Sequence, residues 1–260
     1  MTLEITATRR SFPGSAWVLI GRSMRHILRT PDALILSVVL PVAILLMFVY
    51  VFGGAIATGS EYVNYVVPGI ILLTAGFGSA LTATSVTADL TEGFIDRLRS
   101  MPVPSSAAVA GHVVASMARN LLVTAVVFGV AMAIGFRPVA NLWQWLGVIG
   151  VIAFFVLAIT WISVILGLLA KTVDAANGFA FFLVFLPYVS SAFVPTDTLP
   201  PFLRAIAENQ PVTPIVETAR GLLLGTPIGG HAVRALLWCA ALLIIAVPVS
   251  AYLFRRRTAA

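Results

Sequence analysis

The chain has a single cysteine, three histidines and a single lysine, and only 10% of its residues are charged. Cys239 by itself excludes an intrachain disulfide or a cysteine-based metal cluster; a lone thiol inside an apolar run supplies small packing volume. His26, His112 and His231 are too far apart in sequence to form a visible metal-ligand set. The acids are equally sparse, and no apolar run holds an unambiguous Asp or Glu in its interior, which argues against the proton relay of an ion-coupled pump. The apolar runs do not alternate with polar residues, so a membrane barrel is excluded. Leu166–Thr172 (LGLLAKT) superficially suggests a phosphate-binding loop. Ala170 replaces the glycine before the lysine, however, and Ile165 stands where the first glycine belongs. The apolar stretch Ala16–Ile20 is too short for a signal-peptide core and runs into Arg22. There is no sign of a soluble domain, a low-complexity linker or an internal repeat.

What the chain has in abundance is apolar length. Hydrophobic residues make up 60% of it and its mean hydropathy is +1.02, whereas a globular domain carries about 25% charged residues. A spanning helix needs roughly 20 apolar residues, and six runs qualify: 33–56, 63–88, 107–136, 142–170, 176–194 and 232–254. The expectation is an all-α integral membrane protein, a single transmembrane domain over 1–260 with six transmembrane helices.

The net charge of +6 and pI near 10.2 would suggest nucleic acid in a soluble protein. Here the arginines are segregated. Arg9, Arg10, Arg22, Arg25 and Arg29 precede the first run, Arg97 and Arg99 lie between the second and third, Lys171 follows the fourth, and Arg255, Arg256 and Arg257 follow the last. The other loops hold only Arg137, Arg204, Arg220 and Arg234. The bias of Lys and Arg in short loops toward the cytoplasmic side places both termini and the 89–104 loop inside. A multi-pass protein of a bacterial plasma membrane is expected, and a nucleic-acid role is not.

Asp89–Pro104 (DLTEGFIDRLRSMPVP) is a short charged segment between two long apolar ones. Asp89 and Glu92 have capping-box spacing. Phe94, Ile95, Leu98 and Met101 then share one helical face, with Glu92, Asp96 and Arg99 elsewhere, and Pro102 and Pro104 stop the helix. Residues 15–29 form a second amphipathic helix, with Trp17, Ile20 and Met24 on one side and Arg22, Arg25 and Arg29 on the other, the pattern of a helix lying in the membrane interface. In the second run Thr74, Gly78, Thr82 and Ser85 make a small, hydroxylated stripe, which serves close helix approach or lines a transport route. The fifth run carries Phe179, Phe181, Phe182, Phe185 and Tyr188, either packing and lipid contact or a hydrophobic gate. Arg119 and His112 lie early in the third run, as headgroup anchors or as a functional site. Pro200 and Pro201 open a short helix over 202–209, and Thr213 before Pro214 has the N-cap chemistry of a second, running to Gly225. Both are too short to span, so they read as outer re-entrant or surface-lying helices.

Three stretches, Glu92–Pro102 (EGFIDRLRSMP), Asn209–Pro214 (NQPVTP) and Glu217–Gly225 (ETARGLLLG), together with this topology, resemble the type-two ABC exporter permeases, especially the daunorubicin-resistance-like branch. The resemblance covers nearly the whole chain; His112 after Gly111 departs from it, where a basic residue would be expected. It implies a non-catalytic permease subunit with no cofactor of its own, since ATP and magnesium would be bound by a separate cytoplasmic ATPase subunit. A second permease copy, identical or related, would complete the path for an amphiphilic cargo such as a drug, lipid, glycolipid or polysaccharide. By the same analogy Glu92, Gly93, Phe94, Ile95, Asp96, Arg97, Leu98 and Arg99 form the coupling helix (about 91–101), the 15–29 helix flanks the ATPase contact, and the helices at about 201–225 close the exit. A secondary transporter or channel is the rival class, and it would need ion-coordinating groups at mid-membrane.

Overall fold

The structure, a computed structural model, describes residues 31–56, 61–93 and 106–259, and every regular element among them is helical. In chain order they are α1 (Pro31–Met47), a π-helical turn (Phe48–Phe52), α2 (Tyr62–Thr91), α3 (Ser106–Ala133), α4 (Leu142–Leu169), α5 (Val173–Phe185) with a 3-10 turn (Leu186–Val189), a second 3-10 turn (Thr196–Thr198), α6 (Pro201–Asn209), α7 (Val212–Leu224) and α8 (His231–Ala259). Four helices, α2, α3, α4 and α8, are long and apolar enough to cross a membrane.

The first and fifth expected spans come out shorter. Ser37–Phe52 and Val173–Val189 are apolar helical stretches below that length. The end of α5 has a plain cause: Pro187 cannot donate to the helical ladder, so the chain tightens into a 3-10 turn and then leaves helical geometry at Ser190. Elsewhere the local chemistry sets the boundaries. Asn141 and Gln144 form a reciprocal capping box that starts α4, with bonds of 2.9 and 2.7 Å. The Thr172 hydroxyl accepts from the Ala175 amide to start α5, and Pro201 sits at the first position of α6. Gly225, in the left-handed region at φ +70°, ends α7.

α2 is the central helix, packed against α3, α4 and α5 along most of its length. Its small residues permit this. A Cβ on Gly69 would lie 2.6 Å from the Ala192 carbonyl oxygen, and one on Gly167 of α4 would lie 2.5 Å from that of Ala83. Close approach lets the Thr87 hydroxyl bond the Gly167 carbonyl at 2.9 Å. The core around α2, led by Val66, Val67, Ile70–Leu73, Val156 and Ile159, is fully or almost fully buried. Gly69→Val should therefore cost more than any lipid-facing substitution, because backbone must move; a lowered melting midpoint in detergent, against an unchanged one for Gly150→Val where the space is open, checks this.

Two expectations are corrected here. Asp89 is not a helix cap: no glycine or proline interrupts Gly76–Thr91 strongly enough to stop α2, which continues through Asp89 to Thr91. The helix ends instead at Glu92, whose amide donates to the Ala88 carbonyl, and at Gly93, with φ +70°. Thr213 is not a cap either. α7 begins at Val212, and the Thr213 hydroxyl donates to the Ala207 carbonyl and accepts from the Ser191 amide, tying α6 to the chain after α5. The expected interfacial helix with Trp17, Arg22, Arg25 and Arg29, and the coupling residues Phe94, Ile95, Asp96, Arg97, Leu98 and Arg99, lie outside the described residues.

Candidate functional site

Three polar clusters punctuate this apolar bundle. The first is at the end of the bundle formed by the start of α2, the loop after α5, and α6–α7. The chain from Leu186 to Phe193 is non-α-helical and buried at Ser190–Phe193, so its carbonyls need partners from elsewhere. Side chains supply them. The Tyr65 hydroxyl donates to Ser191 O at 2.9 Å and the Tyr62 hydroxyl to Phe193 O at 3.0 Å. Gln210 Nε2 donates to the carbonyls of Leu186 and Val189. Arg220, 7% exposed, joins α2, this loop and α7. Its guanidinium donates to Tyr65 O at 3.0 Å, Ser191 O at 2.8 Å and the Glu217 carboxylate, and it lies 3.8 Å from the centre of the Tyr65 ring. A planar fork can serve two carbonyls, a carboxylate and a ring face together; an ammonium cannot. The sequence shows Glu217 and Arg220 only as part of a motif. The available signal was their helical i, i+3 spacing, and their long-range partners could not be read from it.

The second cluster lies where α2, α3 and α4 cross. The Thr82 hydroxyl donates to Ser116 Oγ at 2.7 Å, while Ser116 and Ser79 each stand 3.4 Å from the Thr160 hydroxyl. Asn120 Nδ2 bonds Ser116 O, and Asn120 fills the space that a Cβ on Gly78 would occupy. Arg119 donates to Gly78 O at 2.8 Å and Thr82 Oγ1 at 3.4 Å. Three buried atoms here have no hydrogen-bond partner: Arg119 Nε, Asn120 Oδ1 and Thr124 Oγ1.

The third cluster is at the opposite, basic end. Asp89 meets His112 at 2.9 Å, with both side chains mostly buried. Arg257 donates to the Leu169 and Ala170 carbonyls, holding the end of α8 to that of α4. Glu92 and Gly93 lie at this same end of α2.

The candidate path residues fall in two places. Thr74, Gly78 and Thr82 are buried inside the protomer, with Thr74 bonding its own helix at Ile70 O, and Ser85 bonds Leu81 O. Phe179, Phe182 and Phe185 are exposed, Phe182 at 77%. The small stripe faces α3, whereas α5 packs against α2 at Gly76 through Leu183 and Val184, so the two stripes do not meet within one protomer.

Membrane-length helices with buried polar crossings, and no group of three or more metal-ligating side chains among the described residues, define a multi-pass helical membrane protein. Residues 15–224 match the ABC-2 type transporter family, and the chain belongs to that family. It is 29% identical over 245 residues to a daunorubicin resistance ABC transporter permease protein of Streptomyces coeruleorubidus, covering 92% of this chain and 86% of the relative. It is 26% identical over 197 residues to an inner membrane transport permease of Escherichia coli, covering 73% and 76%. The chain is thus a membrane permease subunit of an ABC transporter, and permease subunits of this kind are non-catalytic.

Proposed function

We propose that two permease subunits, this chain with an identical or related copy, form the export path for an amphiphilic cargo, driven by separate cytoplasmic ATPase subunits. The observation that carries this reading is the family match over most of the chain, joined by the name of the Streptomyces relative, an ABC permease of drug resistance. ATP and magnesium belong to the ATPase partner. Residues 92–99 are the coupling segment, at the end of α2 where the basic residues gather. Copurification tests the core of the reading: the tagged permease should bring down an ABC ATPase subunit in stoichiometric amount, and solitary purification with full transport would overturn it.

Charge asymmetry supports a cytoplasmic basic end in the plasma membrane of a bacterium, with α6 and α7 outside. In a Cys239→Ser background, Thr198→Cys should react with an impermeant maleimide on intact cells, and Lys171→Cys only after permeabilisation; both positions are exposed. The reverse pattern would invert the topology. α6 and α7 are the outer elements that close the exit, and the exposed aromatic face of α5 forms the wall of the path. Phe182→Ala should then loosen cargo selectivity or leak, while Trp143→Ala, on the exposed face of α4, should not. Equal behaviour of the two variants would remove the aromatic face from the path.

A further inference from the structure

Arg119 is a cation at a depth where a cation needs a reason. At about 1.5 Å of rise per residue it lies about 20 Å from either end of α3, near the middle of a helix that is long and apolar enough to cross a membrane. Its partners, Gly78 O and Thr82 Oγ1, are neutral and take only one of its three nitrogens. The Nε–H is buried and unpaired, yet the residue as a whole is partly exposed. An ionised group in this situation is costly unless an anion meets it.

The described acids do not supply that anion. Asp89 is two helical turns away from Thr82 along α2 and bonded to His112. Glu61, Asp197, Glu208 and Glu217 lie at the opposite end of the bundle, and Glu92 and Asp174 at the basic end. A second copy of these residues brings no carboxylate to the depth of Arg119 either. The neighbours on α3 suit a different partner. Leu122, 59% exposed, and Val126, 42% exposed, adjoin Arg119 on the apolar face, while the Thr82, Ser116 and Thr124 hydroxyls lie within the same two turns of helix contact. The Thr82 and Ser116 hydroxyls are buried and bonded to each other, so the cation and the open apolar surface beside it carry the match to an acidic headgroup attached to a hydrocarbon chain.

We propose that Arg119 binds the phosphate or carboxylate of an anionic amphiphile, drawn from the cytoplasmic leaflet to the α2–α3 surface. As a cargo contact this rests on the export reading, but binding itself can be measured on the permease without its ATPase, so failure of either is distinguishable. The probe is spin-labelled phosphatidylglycerol against spin-labelled phosphatidylcholine of the same chains, with the purified full-length permease in phosphatidylcholine vesicles at about 1 M salt, where exposed arginines are screened within about 3 Å. The wild type should retain a several-fold preference for the anionic lipid. Arg119→Gln should abolish that preference with phosphatidylcholine association unchanged, and Arg119→Lys should retain most of it. Thr82→Val, which keeps the cation and removes its hydroxyl partner, should fold normally and weaken the preference only partly. Dodecyl phosphate should compete and inorganic phosphate should not. An undiminished preference in Arg119→Gln overturns the proposal, as does no preference in the wild type. Equal competition by inorganic phosphate overturns the amphiphile and leaves a bare anion site.

Discussion

Replacing Arg220 by methionine should destabilise the permease more than any other single change to its polar residues. Methionine fills similar volume but removes the guanidinium from the Tyr65 carbonyl and the Glu217 carboxylate, and leaves the Ser191 carbonyl with the Tyr65 hydroxyl alone. Breaking one side of a buried ion pair costs about 3–5 kcal/mol, and the hydrogen bonds lost at the two carbonyls add to it. Glu217 retains 28% side-chain exposure, so water relieves part of its share and the lower end of the range applies. A melting midpoint in detergent lowered by several degrees, with a matching loss of protein in the membrane, is the expected result. Glu217→Gln, which keeps an acceptor for the guanidinium, should be milder, and Arg220→Lys should resemble methionine because a lysine cannot bridge the same partners. An unchanged midpoint for Arg220→Met would show that the buried carbonyls find other donors.

The largest effect on activity is expected at residues 92–99. On the proposed coupling role, Phe94→Asp or Leu98→Asp would place a charge on the apolar side of the amphipathic sequence pattern, the side proposed to meet the ATPase. An unpaired charge in a desolvated contact costs several kcal/mol, enough to reduce subunit association by two or more orders of magnitude. Transport and ATPase copurification should both collapse while insertion and abundance remain normal, since both positions fall between the apolar runs and not within one. Asp96→Asn, on another face, should be tolerated. Full transport by the aspartate variants would take this segment out of energy coupling.

The sequence was most readable where one physical signal dominates. Apolar length located the four long helices to within a few residues, and the Pro-initiated helix at 201–209 and the glycine stop at Gly225 followed from backbone preference alone. It was misleading where two signals overlapped. Asp89 and Glu92 carry cap chemistry, but the unbroken helical run before them continues past Asp89, and a pairing with His112 on the neighbouring helix gives the carboxylate its role. Thr213 has the same history: local chemistry suggested a cap, and a tertiary partner took the hydroxyl. Arg220 was unreadable as a hub because its partners come from α2 and from the loop after α5, far away in sequence. The hydroxyl stripe of α2 was visible as a stripe, but which neighbour it faces depends on helix order and rotation, and periodicity does not encode these.

α2 also has a mechanical consequence. It runs as one helix from Tyr62 to Thr91, about 45 Å long at the usual helical rise, with its hydrogen-bond ladder missing one donor at Pro68. Glu92 and Gly93 stand at one tip, and Tyr62 and Tyr65 grip the carbonyls of Phe193 and Ser191 at the other. A rod packed on nearly all sides resists bowing, so a force applied at the Glu92 tip would be carried along the helix toward the tyrosines. The one compliant joint along its length is Pro68, which interrupts the ladder a single turn beyond Tyr65. Under such a load the shaft beyond Pro68 would move as one piece, and the short tyrosine-bearing end, with the loop it holds, is the part free to turn against it.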